Sequence, residues 1–383
     1  MSAPTKFTGL ILASGVKQSD PTRVVIEALS PFSVKVLSSE LMHVRDRFIF
    51  SLLIELSPDH QEAIASDLEE ITKAGEIDVA YEFAAFANPA SQGEKSQQNL
   101  RIVARALTPA DLLGVSTPLN GRADLHSLRI YSDGDLQVAD IGYELLASEL
   151  EFVSGQIKAA IKGLGLAGAI TDRSEHTIGN ESVILDMDST FINEEVIDLL
   201  AELAGVGAEV AAITENAMQG NLDFATSLKA RVELLKGKPA SLLDEARSRI
   251  SLTAGASELV AKIHSHQGRV GIVSGGFHDV IDQFLEPLGL DLVKANRFEI
   301  VDGLFTGKVL GEIVDSAVKA ETLKIFSQGA SRAIAIGDGA NDIAMINSAD
   351  IGIAFCAKPA LAAEADLVIN ERDLRYVELI LGY

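Results

Sequence analysis

Two carboxylates two residues apart end an apolar run of the sequence. Asp186 and Asp188 follow Val183–Leu185, and small hydroxyl residues come directly after them. In a catalytic site, one carboxylate attacks as a nucleophile while the other carries the proton of the leaving group. The same pattern also fits a strand that ends in an Asp/Ser helix cap. By itself the pair leaves both interpretations open.

A second pair of carboxylates, Asp338 and Asp342, lies in the segment GDGAND that ends another apolar run. If both pairs meet at one sheet edge, these carboxylates cannot all ionise comfortably without a cation. Hard oxygen ligands favour Mg²⁺, whereas the absence of His and Cys from both segments disfavours zinc. The two motifs together therefore predict a magnesium site.

Two further segments offer groups that bind phosphate oxygens. Ser274 and Gly275 end the run RVGIVSGG, where a hydroxyl and exposed main-chain N–H groups suit an anion. Lys319 lies between this motif and GDGAND, on the predicted helix Asp315–Phe326. A serine cap and a solvated helix lysine are the alternatives for each segment taken alone.

The elements that would position these residues form a parallel sheet. The apolar runs VILDMDST, RVGIVSGG, AIAIGDGAND and IGIAF alternate with helical segments, which favours strands covered on both faces. Ligands of such sheets bind at the carboxyl ends of the strands, where the polar motifs lie. The helical stretch Glu194–Ile250 predicts an inserted cap, and residues 292–310 predict a hairpin that turns at Asp302-Gly303.

The first half of the chain has a different pattern. Residues 1–83 show the order β-α-β-β-α-β, and the same order returns between Leu100 and Thr171 after a polar linker over residues 84–98. This order predicts an antiparallel sheet with two helices on one face. We therefore expect an internal repeat of fold without clear sequence identity.

Charge and composition exclude several classes of function. With 32 Lys plus Arg against 55 Asp plus Glu, the formal charge is −23, which argues against nucleic acid and anionic membranes as partners. We find no transmembrane span and no signal peptide. The single cysteine, Cys356, excludes an intrachain disulfide and fits a reducing compartment. Together these features predict a cytoplasmic protein.

The ordered motifs closely resemble those of the haloacid dehalogenase superfamily. Its signature DxDxT is present as DMDST, followed by Ser274, Lys319 and GDGAND. Glu195, the segment FATSLKARVELLKG with Arg231, and the segment SGGF are similar to phosphoserine phosphatases in particular. The resemblance covers about residues 180–375.

The resemblance implies a phosphoric monoester hydrolase with a defined set of site residues. It implies Mg²⁺-dependent hydrolysis of O-phospho-L-serine through an aspartyl-phosphate, the last step of serine biosynthesis. The catalytic pair would be Asp186 as nucleophile and Asp188 as general acid and base. The substrate residues would be Glu195, Arg231, Ser274, Gly275, Lys319 and Asn341. Asp186, the main-chain carbonyl of Asp188, and Asp338 would hold the metal, with Asp342 in a supporting role.

The first half of the chain resembles the paired ACT domains that precede the catalytic domain in some phosphoserine phosphatases. This match rests on the order of elements. The fold class expected is an α/β phosphatase domain with a doubly wound parallel sheet, preceded by two α+β ferredoxin-like (ACT) domains. We place the domains at 1–90, 91–178 and 179–383, with a cap inserted at about 192–260. The resemblance further implies regulatory serine at the ACT-like domains and a homodimer or larger oligomer.

Two other functions remain open at the sequence level. The first is a phosphatase or phosphotransferase of the same superfamily that acts on another small phosphomonoester. The second is a non-catalytic amino-acid sensor built on an inactive phosphatase. Because both Asp186 and Asp188 are retained, an active enzyme is favoured over a sensor.

Overall fold

The computed structural model describes residues 6–16, 19–86, 94–172, 179–218 and 222–383. It divides into two compact units, Met1–Gln92 and Gly93–Tyr383. In the part of the chain that is described, no helix is long and apolar enough to cross a membrane.

The first unit is a four-stranded antiparallel sheet with two helices. Its sheet has the order β2-β3-β1-β4. Alternation along β3 turns Phe50, Leu52 and Ile54 into the core, as expected of a sheet with one covered face. The elements are β1 (Lys6–Val16), α1 (Pro21–Leu29), β2 (Lys35–Val44), β3 (Arg47–Glu55), α2 (Gln61–Lys73) and β4 (Ile77–Phe86).

The same motif opens the second unit. Its sheet order, β6-β7-β5-β8, repeats the arrangement of the first sheet. The helix α3 begins with a capping box, in which the Thr108 hydroxyl and the Asp111 carboxylate satisfy each other's main-chain N–H groups. The elements are β5 (Lys95–Ala104), α3 (Pro109–Ser116), β6 (Ala123–Asp133), β7 (Leu136–Leu146), α4 (Leu150–Leu164) and β8 (Ala167–Asp172).

The rest of the second unit is built on a seven-stranded sheet of order β12-β11-β10-β9-β13-β14-β15. All neighbours pair in parallel except β11 and β12, which form the predicted hairpin. The strands are β9 (Ser182–Leu185), β10 (Arg269–Phe277), β11 (Leu292–Val301), β12 (Leu304–Leu310), β13 (Ala333–Gly337), β14 (Ile351–Phe355) and β15 (Leu367–Ile369).

Among the described residues, the part of the second unit that contains this sheet also has ten helices. Five of them lie between β9 and β10, and the first four of these are in the stretch where the sequence predicts a cap: α5 (Val196–Ala204), α6 (Gly207–Met218), α7 (Phe224–Glu233) and α8 (Leu242–Arg249). The others are α9 (Ala256–Ser265), α10 (His278–Leu285), α11 (Ser316–Phe326), α12 (Ile343–Ile346), α13 (Pro359–Glu364) and α14 (Arg375–Leu381).

The second β-α-β-β-α-β motif shares an apolar core with the parallel sheet. Val103, Val138 and Ala169 from its strands belong to the same buried cluster as Tyr376 and Ile380 of α14. Its other face holds a separate core with the helices α3 and α4. The inner strands of this motif are therefore packed on both faces, which explains why no residue of β7 is exposed.

The observed fold confirms the predicted class, and it differs from the sequence interpretation in detail. The linker predicted over 84–98 is shorter, because β4 runs to Phe86 and β5 begins at Lys95; residues 87–93 lie outside the described part. The hairpin turns at Asp302 and Gly303, whose φ values are 52° and 74°. Such left-handed values are typical of a two-residue hairpin turn.

Candidate functional site

The polar motifs meet because β9 lies between β10 and β13. Leu185 pairs with Ile272 on one side and with Ile336 on the other, so the residues that follow these strands reach the same sheet edge. The chain leaves β9 for β10 and later returns to β13 on the opposite side. Such a reversal of strand order forms the crevice in which ligands of α/β sheets bind.

Asp186 begins a tight turn that shapes the centre of the site. Its Oδ1 accepts a hydrogen bond from the main-chain N–H of Met187 at 2.7 Å. Within this turn, which covers Met187–Phe191, Ser189 has a φ of 57°. Positive φ is uncommon for a residue other than glycine, Asn or Asp. Hydrogen bonds must therefore hold the main chain of Ser189 in place.

Lys319 neutralises two buried carboxylates. Its Nζ lies 2.7 Å from Oδ2 of Asp186 and 2.7 Å from Oδ1 of Asp342, and none of the three side chains is more than 5% exposed. Burial lowers the pKa of the Lys319 ammonium, but the charges of the two aspartates outweigh burial and raise it above its ordinary value. Lys319 is fully buried, which argues against the alternative of a solvated helix lysine.

Three carboxylates converge at a position that could hold a metal ion. Oxygen atoms of Asp186, Asp338 and Asp342 lie within 4.8 Å of one another, the one such group found among the described residues. Burial and the charges of Asp186 and Asp342 raise the pKa of Asp338 to about 7. A cluster of carboxylate oxygens suits a hard cation, and a bound cation would offset their repulsion. The residues present therefore fit Mg²⁺.

Asp188 has surroundings unlike those of Asp186. Burial raises its pKa well above the usual value, and the charges of Glu195 and Asp186 raise it further. Its Oδ1 is buried and has no hydrogen-bond partner in the structure. The Asp188 side chain is not part of the three-carboxylate group, which leaves it available to donate a proton.

The Ser274–Gly276 segment lies near the carboxyl end of β10, next to the turn that follows Asp186. The Ser274 side chain is fully buried, and its Oγ accepts a hydrogen bond from the main-chain N–H of Gly276 at 2.8 Å. A Cβ at Gly276 would lie 2.7 Å from Cε of Met187 and 3.1 Å from Oδ2 of Asp188. The glycine thus lets the β10 main chain approach the catalytic turn. On the opposite strand end, Asn341 donates to Oδ2 of Asp186 at 3.3 Å.

The cap brings one acidic and one basic side chain to the site. Glu195 lies at the start of α5, where burial raises its pKa and a hydrogen bond from the Ser189 hydroxyl, 2.9 Å long, opposes that rise. Arg231 lies on α7 and is half-buried; burial lowers its pKa, while the charges of Asp198, Glu195 and Asp188 counteract this effect. An acidic and a basic side chain of the cap thus lie close enough to interact electrostatically with the carboxylates of Asp186 and Asp188.

Three contributors to the site were not singled out in the sequence. A Cβ at Gly275 would lie 2.5 Å from Cζ of Phe224, so this cap ring rests directly on the Gly275 main chain. Oγ1 of Thr190 and Oγ of Ser227 are buried without a hydrogen-bond partner. Phe224 and Ser227 precede Arg231 by two helical turns and one turn respectively, and that spacing was the available signal.

Two histidines and the single cysteine make contacts elsewhere in the fold. His278 accepts a hydrogen bond from the main-chain N–H of Ala295 through Nε2, and His264 pairs with Asp291. Both side chains thus bind neighbouring parts of the fold. Cys356 is half-buried directly after β14, where it packs against the core with a φ of 47°. The chain turns there immediately after the last buried strand residue.

The sequence matches two families. Residues 183–347 match the haloacid dehalogenase-like hydrolases, and residues 8–82 match the ACT domain. A phosphoserine phosphatase from Streptomyces coelicolor is 34% identical over 98% of this chain and 92% of that protein. A solved structure of a probable phosphoserine phosphatase from Vibrio cholerae covers 74% of this chain and 86% of that chain, with 35% identity and a TM-score of 0.59.

A further solved structure is described as a phospho-aspartyl intermediate analogue of phosphoserine phosphatase. It covers 52% of this chain and 98% of that chain, with 42% identity and a TM-score of 0.50. The similarity to the Streptomyces protein extends over both N-terminal motifs and the parallel sheet, because it spans nearly the whole chain.

Proposed function

The chain belongs to the phosphoserine phosphatases of the haloacid dehalogenase-like hydrolase family, and we propose that it hydrolyses O-phospho-L-serine to L-serine and phosphate in serine biosynthesis. The observation that carries the proposal is the contrast between two neighbouring carboxylates. Asp186 contacts the Lys319 ammonium, whereas Asp188 makes no such contact and desolvation raises its pKa. The two are thus suited to be nucleophile and proton donor.

In the first step, a carboxylate oxygen of Asp186 forms a bond to phosphorus while the bond from phosphorus to the serine oxygen breaks. Asp188 gives its proton to the departing oxygen, so serine leaves as the neutral alcohol. The raised pKa of Asp188 favours the protonated form that this step needs. The product is an aspartyl-phosphate on Asp186.

In the second step, water attacks phosphorus and the bond to Asp186 breaks. Asp188, now ionised, takes a proton from the water, which restores both carboxyl groups. Lys319, Ser274 and the N–H of Gly275 would bind the phosphate oxygens, and Asn341 would assist them. Such preplaced charges and dipoles stabilise the transition state of phosphoryl transfer. Asp342 would hold Lys319, which it contacts at 2.7 Å.

We propose Mg²⁺ as the cofactor. Asp186, Asp338 and the main-chain carbonyl of Asp188 would hold it, and the clustered carboxylate oxygens support this assignment. When bound, the cation offsets the repulsion between the Asp186 carboxylate and the phosphate oxygens.

Selectivity would come from the cap. Phosphoserine carries an ammonium and a carboxylate next to its phosphate. Glu195 would bind the ammonium, and Arg231 would bind the carboxylate through its planar guanidinium. Phosphomonoesters that are not phosphoamino acids lack one or both of these groups, so this pair would distinguish phosphoserine from them.

A phosphate-release assay tests the proposal directly. The full chain is given phosphoserine, phosphoethanolamine, phosphoglycolate and p-nitrophenyl phosphate, each with Mg²⁺ or with a chelator. We expect Mg²⁺-dependent turnover with the highest kcat/KM for phosphoserine. Asp186→Asn should lower kcat at least 10³-fold, on the order of the losses seen when a catalytic nucleophile is removed.

Asp302→Asn is the matched control. It makes the same chemical change in an exposed hairpin turn whose left-handed conformation asparagine tolerates, and turnover should be unchanged. Preference for another ester would replace the substrate assignment, and full activity of Asp186→Asn would refute the mechanism. Adding free serine to the same assay measures whether the ACT-like domains carry a regulatory serine site.

We further propose a cytoplasmic homodimer or larger oligomer. In the first unit, the sheet face opposite the helices carries Leu10, Leu12, Met42 and Ile49, which are exposed by 40% to 57%. Isolated exposed apolar residues are ordinary, but a group on one open sheet face favours association. Light scattering at micromolar concentration should give at least twice the mass of one chain, and a monomer would contradict the proposal.

A further inference from the structure

Arg372 contacts the turn Met187–Phe191, which follows the proposed nucleophile and is called the catalytic turn here. Arg372 itself lies outside the motifs that the sequence analysis identified. It lies in the segment Asn370–Leu374, which joins β15 to α14, and its Nη1 donates to the main-chain oxygen of Ser189 at 3.1 Å. Ser189 directly follows Asp188 and has a positive φ. Its hydroxyl donates to Oε1 of Glu195 at 2.9 Å. Arg372 thus holds the residue that connects the proposed proton donor to the proposed ammonium ligand.

Side chains of the second ACT-like motif form ion pairs with residues on both sides of Arg372. Asp135 in the turn between β6 and β7 accepts from Nη1 of Arg375 at 2.8 Å and from Nη1 of Arg105 at 2.8 Å. Nε of Arg105 lies 3.6 Å from Oε2 of Glu371. Asp135 is therefore linked directly to Arg375 and, through Arg105, to Glu371. These two residues lie on either side of Arg372 in the chain.

The segment itself is closely packed against the catalytic turn. The carboxylate of Asp373 is buried and accepts from the main chain and the guanidinium of Arg375. The N–H of Leu374 donates to the oxygen of Ala254 at 2.7 Å. Beside it, the Thr253 hydroxyl donates to the main-chain oxygen of Thr190 at 2.7 Å. A displacement of this segment would therefore shift the main chain of the catalytic turn.

We propose that Arg372 is a positioning residue for the reaction and that the second ACT-like domain sets its position through Asp135. Arg372 acts on Ser189, and Ser189 orients Glu195 for the substrate ammonium. The choice of phosphoserine as the probe rests on the proposed function.

The physical basis is the conformation of Ser189. A left-handed conformation is unfavourable for a residue other than glycine, and hydrogen bonds on the oxygen and hydroxyl of Ser189 offset that cost. A hydrogen bond from a charged guanidinium is stronger than one between neutral groups. Exposed ion pairs contribute little one by one, but here Asp135 binds two arginines at once and so restrains one segment from both ends.

The first test compares two substrates. In Arg372→Ala we expect the KM for phosphoserine to rise about tenfold, while the KM for p-nitrophenyl phosphate, which has no ammonium, changes less than twofold. A merely structural role would lower the active fraction and leave both KM values unchanged. Arg372→Lys should recover at least half of the loss on a logarithmic scale, because one donor suffices for the Ser189 oxygen.

The second test examines the link to the ACT-like domain. Asp135→Asn should raise the phosphoserine KM two- to threefold in the wild-type background and cause no further rise in Arg372→Ala. Asp124→Asn is the matched control, since Asp124 lies on β6 of the same domain and pairs with Lys95. It should leave both KM values unchanged.

Equal KM values for Arg372→Ala and wild type would overturn the positioning role. Additive effects of the two substitutions would overturn the link through Asp135. If the wild type does not hydrolyse phosphoserine, the proposed function fails, but the inference is still decided by hydrogen exchange. Amides of residues 187–195 should then exchange faster in Arg372→Ala and Asp135→Asn than in wild type and Asp124→Asn, and equal rates would refute it.

Discussion

At the scale of single residues, the site depends on charges that are buried together. The Lys319 ammonium is fully buried between the carboxylates of Asp186 and Asp342. Buried ion pairs gain little over apolar packing, but removing one partner leaves an uncompensated charge that is costly. The stability of this centre therefore depends on keeping the positive and negative groups in balance.

Replacing Lys319 tests this balance. Lys319→Met should lower the free energy of unfolding by about 3 kcal/mol, because two buried carboxylates lose their cation. Denaturant titration measures the change. Adding Asp342→Asn should recover part of the loss, since one of the two unpaired charges is then removed. Lys324→Met, on an exposed position of the same helix, should change stability by less than about 0.5 kcal/mol. Equal stability of Lys319→Met and wild type would contradict the prediction.

At the scale of elements, the contact between α7 and the end of β10 fixes the distance between the cap and the sheet at this point. The ring of Phe224 rests on Gly275, where a side chain would have no room. The helix itself is held at its start by Asp223, whose carboxylate accepts from the N–H of Thr226 at 2.8 Å. Gly275 contacts Phe224 of the cap and is also a proposed ligand of the phosphate. A change at this glycine should therefore affect both the position of the cap and the proposed phosphate binding.

A methyl group at this position should displace the cap. Gly275→Ala should raise the phosphoserine KM at least tenfold, which corresponds to an overpacking cost of roughly 1 to 3 kcal/mol. Combining it with Phe224→Leu should restore part of the affinity, because the smaller side chain makes space. Gly155→Ala is the control, since a Cβ there meets nothing within 4 Å. A double variant as impaired as Gly275→Ala alone would rule out the contact as the cause.

At the scale of the whole molecule, the two N-terminal motifs differ in what they stabilise. The first has a core of its own, built from residues such as Ile11, Ile54 and Leu68. The second buries Val103 and Val138 together with the helix α14. Arg101 also donates to the main-chain oxygen of Leu379 across this contact, at 3.2 Å.

Truncation distinguishes these roles. A chain that starts at Gly93 should keep its phosphoserine kcat within about threefold, because the first motif has its own core and every site residue proposed above belongs to the second unit. A chain that starts at Gly179 should be less stable and prone to aggregate, since apolar residues of α14 become exposed. Thermal unfolding and activity assays measure both. A fully stable, monodisperse shorter chain would contradict this division.

Much of the architecture follows from local sequence patterns. Uniformly apolar runs such as Val183–Leu185 predicted the parallel strands, and alternation with capped helices predicted the two β-α-β-β-α-β motifs. Errors lay at element ends, as in the linker over 84–98, where polar residues near Lys95 continue a strand because the neighbouring strand supplies hydrogen-bond partners.

The sequence by itself determined which residues could do chemistry and which strand ends would present them, because periodicity and turn residues act between near neighbours in the chain. Only the tertiary structure decided the contacts between distant segments: Lys319 between two aspartates, Phe224 on Gly275, and Arg372 on Ser189. These contacts depend on how the packed layers orient each side chain. Distance along the chain carries no information about that orientation.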